Sequence, residues 1–271
     1  MQKFPGLLAI VLGLIALPAS AQTPEVTLTR LDCGSDAAAS PRDIGRFSDT
    51  FAYQGQKRQF TFSCYVIKHG DDYMVWDTGF APGQNPQAPK ASLADQLATL
   101  KLSPDQVKFV GISHYHADHT SQVSQLPMAT LLIGQGDWEA VTAPKPAEGV
   151  NAAGFTHWTS GGGKAEPVPL DKDVFGDGTV VMLATPGHTP GHHSLLVNLK
   201  GMGPVILIGD LAHFHENYDS GGVPSFNWNR AATVASLERV KKIAANLKAT
   251  VIIQHDVRDI GKLPAFPAAA K

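Results

Sequence analysis

The chain has no excess of either charge. Its 22 Lys and Arg stand against 24 Asp and Glu, with no basic run among them. This excludes the electrostatic footprint of a protein whose main partner is nucleic acid. Cysteine is nearly absent: Cys33 and Cys64 are the only two in 271 residues. Neither sits in a ligand-like cluster, so neither is read as a metal ligand. Whether they pair or stay as buried thiols is left open by the sequence, which does not show whether they meet. Also missing is a nucleophile elbow of the form G-x-S-x-G, so nothing points to a covalent acyl-enzyme. The one long apolar run, Gly6 to Leu17, covers about a dozen residues, short of the roughly 20 a membrane helix needs.

That run has its own meaning. Lys3 precedes it and Pro18-Ala-Ser-Ala21 follows, which makes residues 1–21 a secretory signal peptide cleaved after Ala21. No cysteine at the cleavage site marks a lipoprotein. The expectation is one domain over residues 22–271, periplasmic or secreted, with no stable membrane association after cleavage. Oligomeric state is not legible. The 43% hydrophobic content is enough for a substantial core.

What the chain does have is histidine, 11 in all, and three fall within six positions. Ser113-His-Tyr-His-Ala-Asp-His119 follows Val107-Lys-Phe-Val-Gly-Ile112, a β-branched apolar run that reads as a buried strand. His114, His116, Asp118 and His119 thus lie where a strand yields to a loop. Imidazoles and a carboxylate in that density suit a borderline divalent ion such as zinc.

The pattern repeats downstream. Thr179–Leu183 reads as a strand running into Thr185-Pro-Gly-His188, where the Pro-Gly turn fixes the loop. Val205–Ile208 runs into Gly209-Asp210, and Thr250–Ile253 into Gln254-His255. Upstream, Tyr73–Trp76 ends in Asp77, which either caps its turn or receives a hydrogen bond from a ligand histidine. Further strands are expected over Val26–Leu31, Phe60–Ile67, Ala129–Ile133 and Ser194–Val197. Ser92-Leu-Ala-Asp95 has capping-box form, Ser103-Pro104 reads as a second helix start, and Asp137–Thr142 as a short helix. A long helix spans about Asn229–Leu247, with Val234, Leu237, Val240, Ile243 and Leu247 as its apolar stripe. The Pro/Gly-rich stretch 143–166 is long enough for a lid or pocket wall. Aromatics in the long loops, Phe155, Trp158, Phe214, Tyr218, Phe226 and Trp228, are candidates for an apolar pocket or for anchoring those loops.

Taken together, His-x-His-x-Asp-His, Trp76-Asp-Thr-Gly79, Thr185-Pro-Gly-His188, Gly209-Asp210 and His255 resemble the metallo-β-lactamase superfamily over nearly all of the mature chain. The resemblance implies an α/β fold, an αββα sandwich of two mixed β-sheets flanked by helices. It implies two zinc ions per chain: His114, His116 and His188 on one, Asp118, His119 and His255 on the other, with Asp210 bridging. Asp77 would orient a ligand histidine.

Within the superfamily the chain is most similar to the N-acyl-homoserine lactonases. This implies ring opening of a small lactone by attack of a metal-bound hydroxide on the carbonyl, with Asp118 and Asp210 in the catalytic centre. Those lactonases carry a tyrosine three residues after the bridging aspartate, and this chain has His213 there. Either His213 or Tyr218 then takes the tyrosine's place, or the substrate differs. The alternatives on the same site are a β-lactamase, a thioesterase and an organophosphate or aryl ester hydrolase.

Overall fold

The computed structural model describes residues 1–2, 24–36, 41–146 and 149–271. The signal peptide assigned to residues 1–21 lies almost wholly outside the described residues. In chain order the strands are β1 (Val26–Ser35), β2 (Arg42–Asp43), β3 (Lys57–Arg58), β4 (Thr61–His69), β5 (Asp72–Trp76), β6 (Val107–Ile112), β7 (Thr130–Gly134), β8 (Ala165–Val168), β9 (Lys172–Asp173), β10 (Val180–Ala184), β11 (His193–Leu199), β12 (Gly203–Leu207) and β13 (Thr250–Ile252). The α-helices are α1 (Leu93–Thr99), α2 (Ala117–Thr120), α3 (Gln135–Thr142), α4 (Thr156–Thr159), α5 (His215–Ser220) and α6 (Arg230–Leu247).

One sheet has the order β1-β4-β5-β6-β7-β8, antiparallel at β1-β4-β5 and parallel from β5 to β8. The other runs β13-β12-β11-β10-β9, with only β12 and β13 parallel. Side-chain alternation along the strands builds the layers. Tyr65, Ile67, Met74 and Trp76 of the first sheet meet Met182, Leu195, Val197, Val205 and Leu207 of the second in one buried cluster. The outward residues Val66, Val75, Val110, Leu131 and Ile133 pack with Leu93 and Leu97 of α1. On the far side, Leu183, Leu196 and Ile206 pack with Leu237, Val240 and Ala244 of α6. The result is helix, sheet, sheet, helix. Gly111, opposite Trp76 in the ladder, leaves room for that indole: a Cβ there would lie 2.6 Å from Trp76 Cε3.

The capping box at Ser92 is present, with Ser92 Oγ accepting from Asp95 N and Asp95 Oδ2 accepting from Ser92 N. Two expectations are corrected. Ser103-Pro104 starts only a single 3-10 turn, Pro104–Gln106, because the chain enters β6 at once. The stripe of α6 is shifted: Thr233, Ser236, Leu237, Val240 and Ala244 are buried, whereas Val234 and Leu247 are exposed.

Candidate metal centre

The expected ligands converge. His114, His116, His188 and Asp210 form one group, and Asp118, His119, Asp210 and His255 another; within each, the ligand atoms lie within 4.8 Å of one another. The first sheet supplies the His114–His119 loop from the end of β6. The second supplies His188 between β10 and β11, Asp210 just past β12 and His255 past β13. Asp210 is common to both groups. Its Oδ2 lies 3.3 Å from His188 Nε2 and 3.7 Å from His114 Nε2; its Oδ1 lies 2.9 Å from His255 Nε2 and 3.1 Å from His119 Nε2.

In four of the five ligand histidines the nitrogen that turns away from the centre is held. Asp77 Oδ2 accepts from His119 Nδ1 at 2.9 Å, Thr61 O from His255 Nδ1 at 2.9 Å, Asn227 Oδ1 from His188 Nδ1 at 2.9 Å, and Ser113 Oγ from His114 Nδ1 at 3.1 Å. These bonds put the proton on Nδ1 and leave Nε2 free to ligate. His116 points Nδ1 inward instead, 2.8 Å from His114 Nε2 and 3.0 Å from His188 Nε2. Its outer edge is covered by Gly149, where a Cβ would come within 3.0 Å of the ring. Asp77 takes up the turn role and the orienting role together. At φ 57° it accepts from Ser113 N (2.7 Å), Ser113 Oγ (2.9 Å) and Gln254 Nε2 (2.9 Å) as well as from His119. A left-handed non-glycine residue is strained, and such strain concentrates at functional sites.

The donor set fits a divalent metal. Nitrogens about 2.05 Å from a tetrahedral zinc lie about 3.3 Å apart. His119 Nε2 and His255 Nε2 are 3.3 Å apart, and the first group is slightly tighter. Asp210 Oδ1 is buried and close to two imidazoles, yet makes no hydrogen bond among the described residues. A buried carboxylate oxygen without a hydrogen bond, facing aimed imidazole nitrogens, matches metal ligation better than a proton-linked network.

The electrostatics agree. Burial, with His119 adding to it, holds His114 well below the usual histidine pKa, and burial does the same for His188. Burial also disfavours charge on His119, but Asp210, Asp118 and Asp77 outweigh it and raise that pKa well above normal. Asp210 would be pushed up by burial, yet the surrounding histidines, His255 first, keep it well below the carboxylate range. Metal binding at the second group would therefore displace protons.

His192, beside the Pro-Gly turn, accepts from Asp210 N at 3.0 Å, and its Nδ1 faces Thr185 Oγ1 at 2.8 Å. Burial pushes its pKa down to about 3, so the ring stays neutral while it holds the Asp210 backbone. His213 reaches the centre, with Nε2 3.0 Å from Asp210 Oδ2 and its ring stacked on His255. Tyr218 does not. It packs on the α6 side of the second sheet, with Lys241 Nζ 5.0 Å from its ring centre. The reason is α5, which begins at His215 and carries Tyr218 off toward α6. His215 also turns away, pairing with Asp259 at 2.7 Å.

The aromatic wall differs from the one expected. Phe155 and Trp158 are core residues, so stretch 143–166 contributes Gly149 rather than its aromatics. Phe214 is fully buried behind Phe47 and Phe60. Phe47 and Phe226 flank His213, Phe226 also faces His188, and Phe62 faces His255 with Phe80 beside it. Sequence reading missed Asn227 and Gln254 because each acts through a partner remote in the chain, and Ser113 because it joins the adjacent His114 to the remote Asp77.

The family model described as metallo-beta-lactamase superfamily matches residues 61–255. The chain belongs to the metallo-β-lactamase superfamily. It is 32% identical over 178 residues to N-acyl homoserine lactonase AttM of Rhizobium radiobacter, covering 60% of this chain and 63% of that protein. It thus spans less than two thirds of that relative. An N-acyl homoserine lactonase of Bacillus sp is 24% identical over 223 residues, 75% of this chain and 84% of that one. A solved quorum-quenching N-acyl homoserine lactone lactonase superposes with a TM-score of 0.76 at 20% identity, covering 91% of this chain and 98% of its own, a likeness of fold.

Proposed function

We propose that this superfamily member is a dizinc hydrolase that opens N-acyl-homoserine lactones. The observation that carries the reading is Asp210, whose two oxygens face two separate histidine groups. His114, His116 and His188 would hold one ion; Asp118, His119 and His255 the other. When bound, two such ions supply a water of lowered pKa and positive charge for a carbonyl oxygen. The rest falls to the chain. His213 presents Nε2 at the Asp210 side of the centre, and burial lowers its pKa, so the ring is a neutral donor. It takes the place of the lactonase tyrosine and offers its N–H to the carbonyl or leaving oxygen. Phe226 and Phe80, both half-buried, give an acyl chain an apolar wall beside the ligands. The AttM and Bacillus relatives, named as lactonases, support the substrate class.

Export to the periplasm or beyond is part of the same reading. It rests on the sequence of residues 1–21 and is supported by a Cys33–Cys64 disulfide, a bond that persists in oxidising compartments.

The test is metal analysis of the mature chain with a hydrolysis panel: short- and long-chain acyl-homoserine lactones, a carbapenem, a thioester and an aryl phosphotriester. Lactone turnover with two zinc equivalents is expected, and Asp210→Ala should lose activity and at least one equivalent. Strong carbapenem, thioester or phosphotriester turnover without lactone activity overturns the substrate. Two retained zincs at full rate in Asp210→Ala overturn the bridge.

A further inference from the structure

Asp137 is a fully buried carboxylate outside both ligand groups. It lies in the first turn of α3 and faces two loops remote from it in sequence. Its Oδ2 accepts from Tyr115 N at 3.1 Å and from Thr189 Oγ1 at 2.9 Å; its Oδ1 accepts from Gly191 N at 2.7 Å. Tyr115 is the residue between His114 and His116. Thr189 follows His188. Two of the three bonds therefore end beside ligands of one group only, and the third ends at Gly191 in the turn that follows His188.

The backbones behind those bonds interlock. A Cβ on Gly191 would lie 2.3 Å from Asp137 N, one on Gly134 1.7 Å from Gly191 O, and one on Gly136 2.8 Å from Pro190 Cβ. The turn after β7 and the turn after His188 thus touch main chain to main chain, with the Asp137 carboxylate as the polar link. No charged side chain among the described residues offsets that carboxylate: burial pushes its pKa up to about 7 against the pull of the three hydrogen bonds. Burying an unpaired carboxylate is costly, and simple packing at this position would be served at lower cost by an apolar side chain. What only a carboxylate provides is acceptance of all three donors at once.

We propose that Asp137 is a positioning residue that sets the spacing of His114, His116 and His188, as Asp77 does for His119. Each ligand group then has its own buried carboxylate behind it, and neither carboxylate is a ligand. The inference rests on the metal reading given above.

The test measures zinc affinity by chelator competition in single-group backgrounds of the full mature chain. In Asp118→Ala, the remaining tight zinc reports the His114/His116/His188 group; in His188→Ala, it reports the other. Asp137→Asn should weaken zinc 10- to 100-fold in the first background, the usual cost of removing an outer partner of metal ligands. In the second it should change affinity by less than about twofold. The amide cannot accept from both Tyr115 N and Gly191 N, so one is left unpaired. Equal loss in both backgrounds, or no loss in the first, overturns the proposal. If Asp137→Asn fails to fold, Thr189→Val removes one donor alone, and a loss of about threefold confined to the first background is expected; an unchanged affinity overturns the proposal. Failure of the parent chain to bind zinc at all would instead sink the metal reading.

Discussion

Replacing both Cys33 and Cys64 with alanine tests how far the first sheet relies on its cross-link. The disulfide joins β1 to β4 across a sequence separation of 31, and both cysteines are fully buried. Closing a loop of that length in the unfolded chain removes entropy worth about 4 kcal/mol. Domains of this kind are stable by roughly 5–15 kcal/mol, so the loss is a large share of the total. A second effect is local. Gly79 lies against the bridge, where a Cβ would come 2.5 Å from Cys33 Sγ and 3.0 Å from Cys64 Sγ. The same turn carries Asp77, and Gly79 O accepts from Ser121 N just past α2. Without the bridge the turn behind Asp77 loses its support on that side. Urea unfolding of the wild type with and without reductant, and of the double variant, measures the effect. The reduced wild type and the variant should both lose about 3–4 kcal/mol, and the variant should ignore reductant. A loss under about 1 kcal/mol would refute the reasoning, since it would mean that the unfolded chain gains little freedom.

Asp77→Asn keeps the left-handed turn accessible, since asparagine tolerates that conformation, but weakens acceptance from four donors. Zinc at the His119 group should bind 10- to 100-fold more weakly in chelator competition, and unchanged binding would remove Asp77 from the site's support. Glu216 pairs with Arg58 and Arg258; burial opposes the charge, yet Arg258 and then Arg58 hold its pKa at about 2. A folded pKa below the unfolded one gives stability that is present above about pH 4.5 and lost as pH falls through about 2. Arg258 is 45% exposed, so solvent screening reduces the contribution to about 1–2 kcal/mol. Glu216→Gln should cost that much in urea unfolding at pH 7, with the gap narrowing toward pH 2; a gap that persists there contradicts the assignment.

The candidate ligands were legible as a cluster because each follows an apolar strand, and strands reveal themselves locally. Val107–Ile112 is observed with the bounds its pattern predicts, and His114 comes two residues later. The ends of β10, β12 and β13 announce His188, Asp210 and His255 in the same way. Features that depend on distant contacts were not legible. Nothing near Asp137 in sequence says that its carboxylate will meet Tyr115 and Gly191. Tyr218 is five residues from His213, but α5 starts between them and carries it to the opposite face. Phe155 and Trp158 read as loop aromatics, yet they anchor their loop in the core beneath Ala129, whose carbonyl accepts from Trp158 Nε1 at 3.3 Å.

The centre is shared between the two sheets, and this explains why so many buried polar side chains surround it. His114, His116, Asp118 and His119 come from one sheet; His188, Asp210 and His255 from the other. Apolar packing between the sheets is non-directional and tolerates small slides, whereas a ligand set requires spacing fixed to fractions of an ångström. Directional bonds supply what packing does not. Ser113 O accepts from His193 N at 2.8 Å, tying β6 to β11 directly behind the ligands. Gln254 Nε2 donates to Ser63 O and Asp77 Oδ2, tying the loop after β13 to β4 and β5. At the other end, Trp228 N and Asn229 N donate to His188 O and Gly187 O, and Ser236 Oγ donates to Pro186 O. The start of α6 thereby closes over the His188 loop. Gly187 permits this contact, since a Cβ there would meet Thr233 N at 2.4 Å. The hydrogen bonds that cross between the sheets set the register that the shared carboxylate of Asp210 requires.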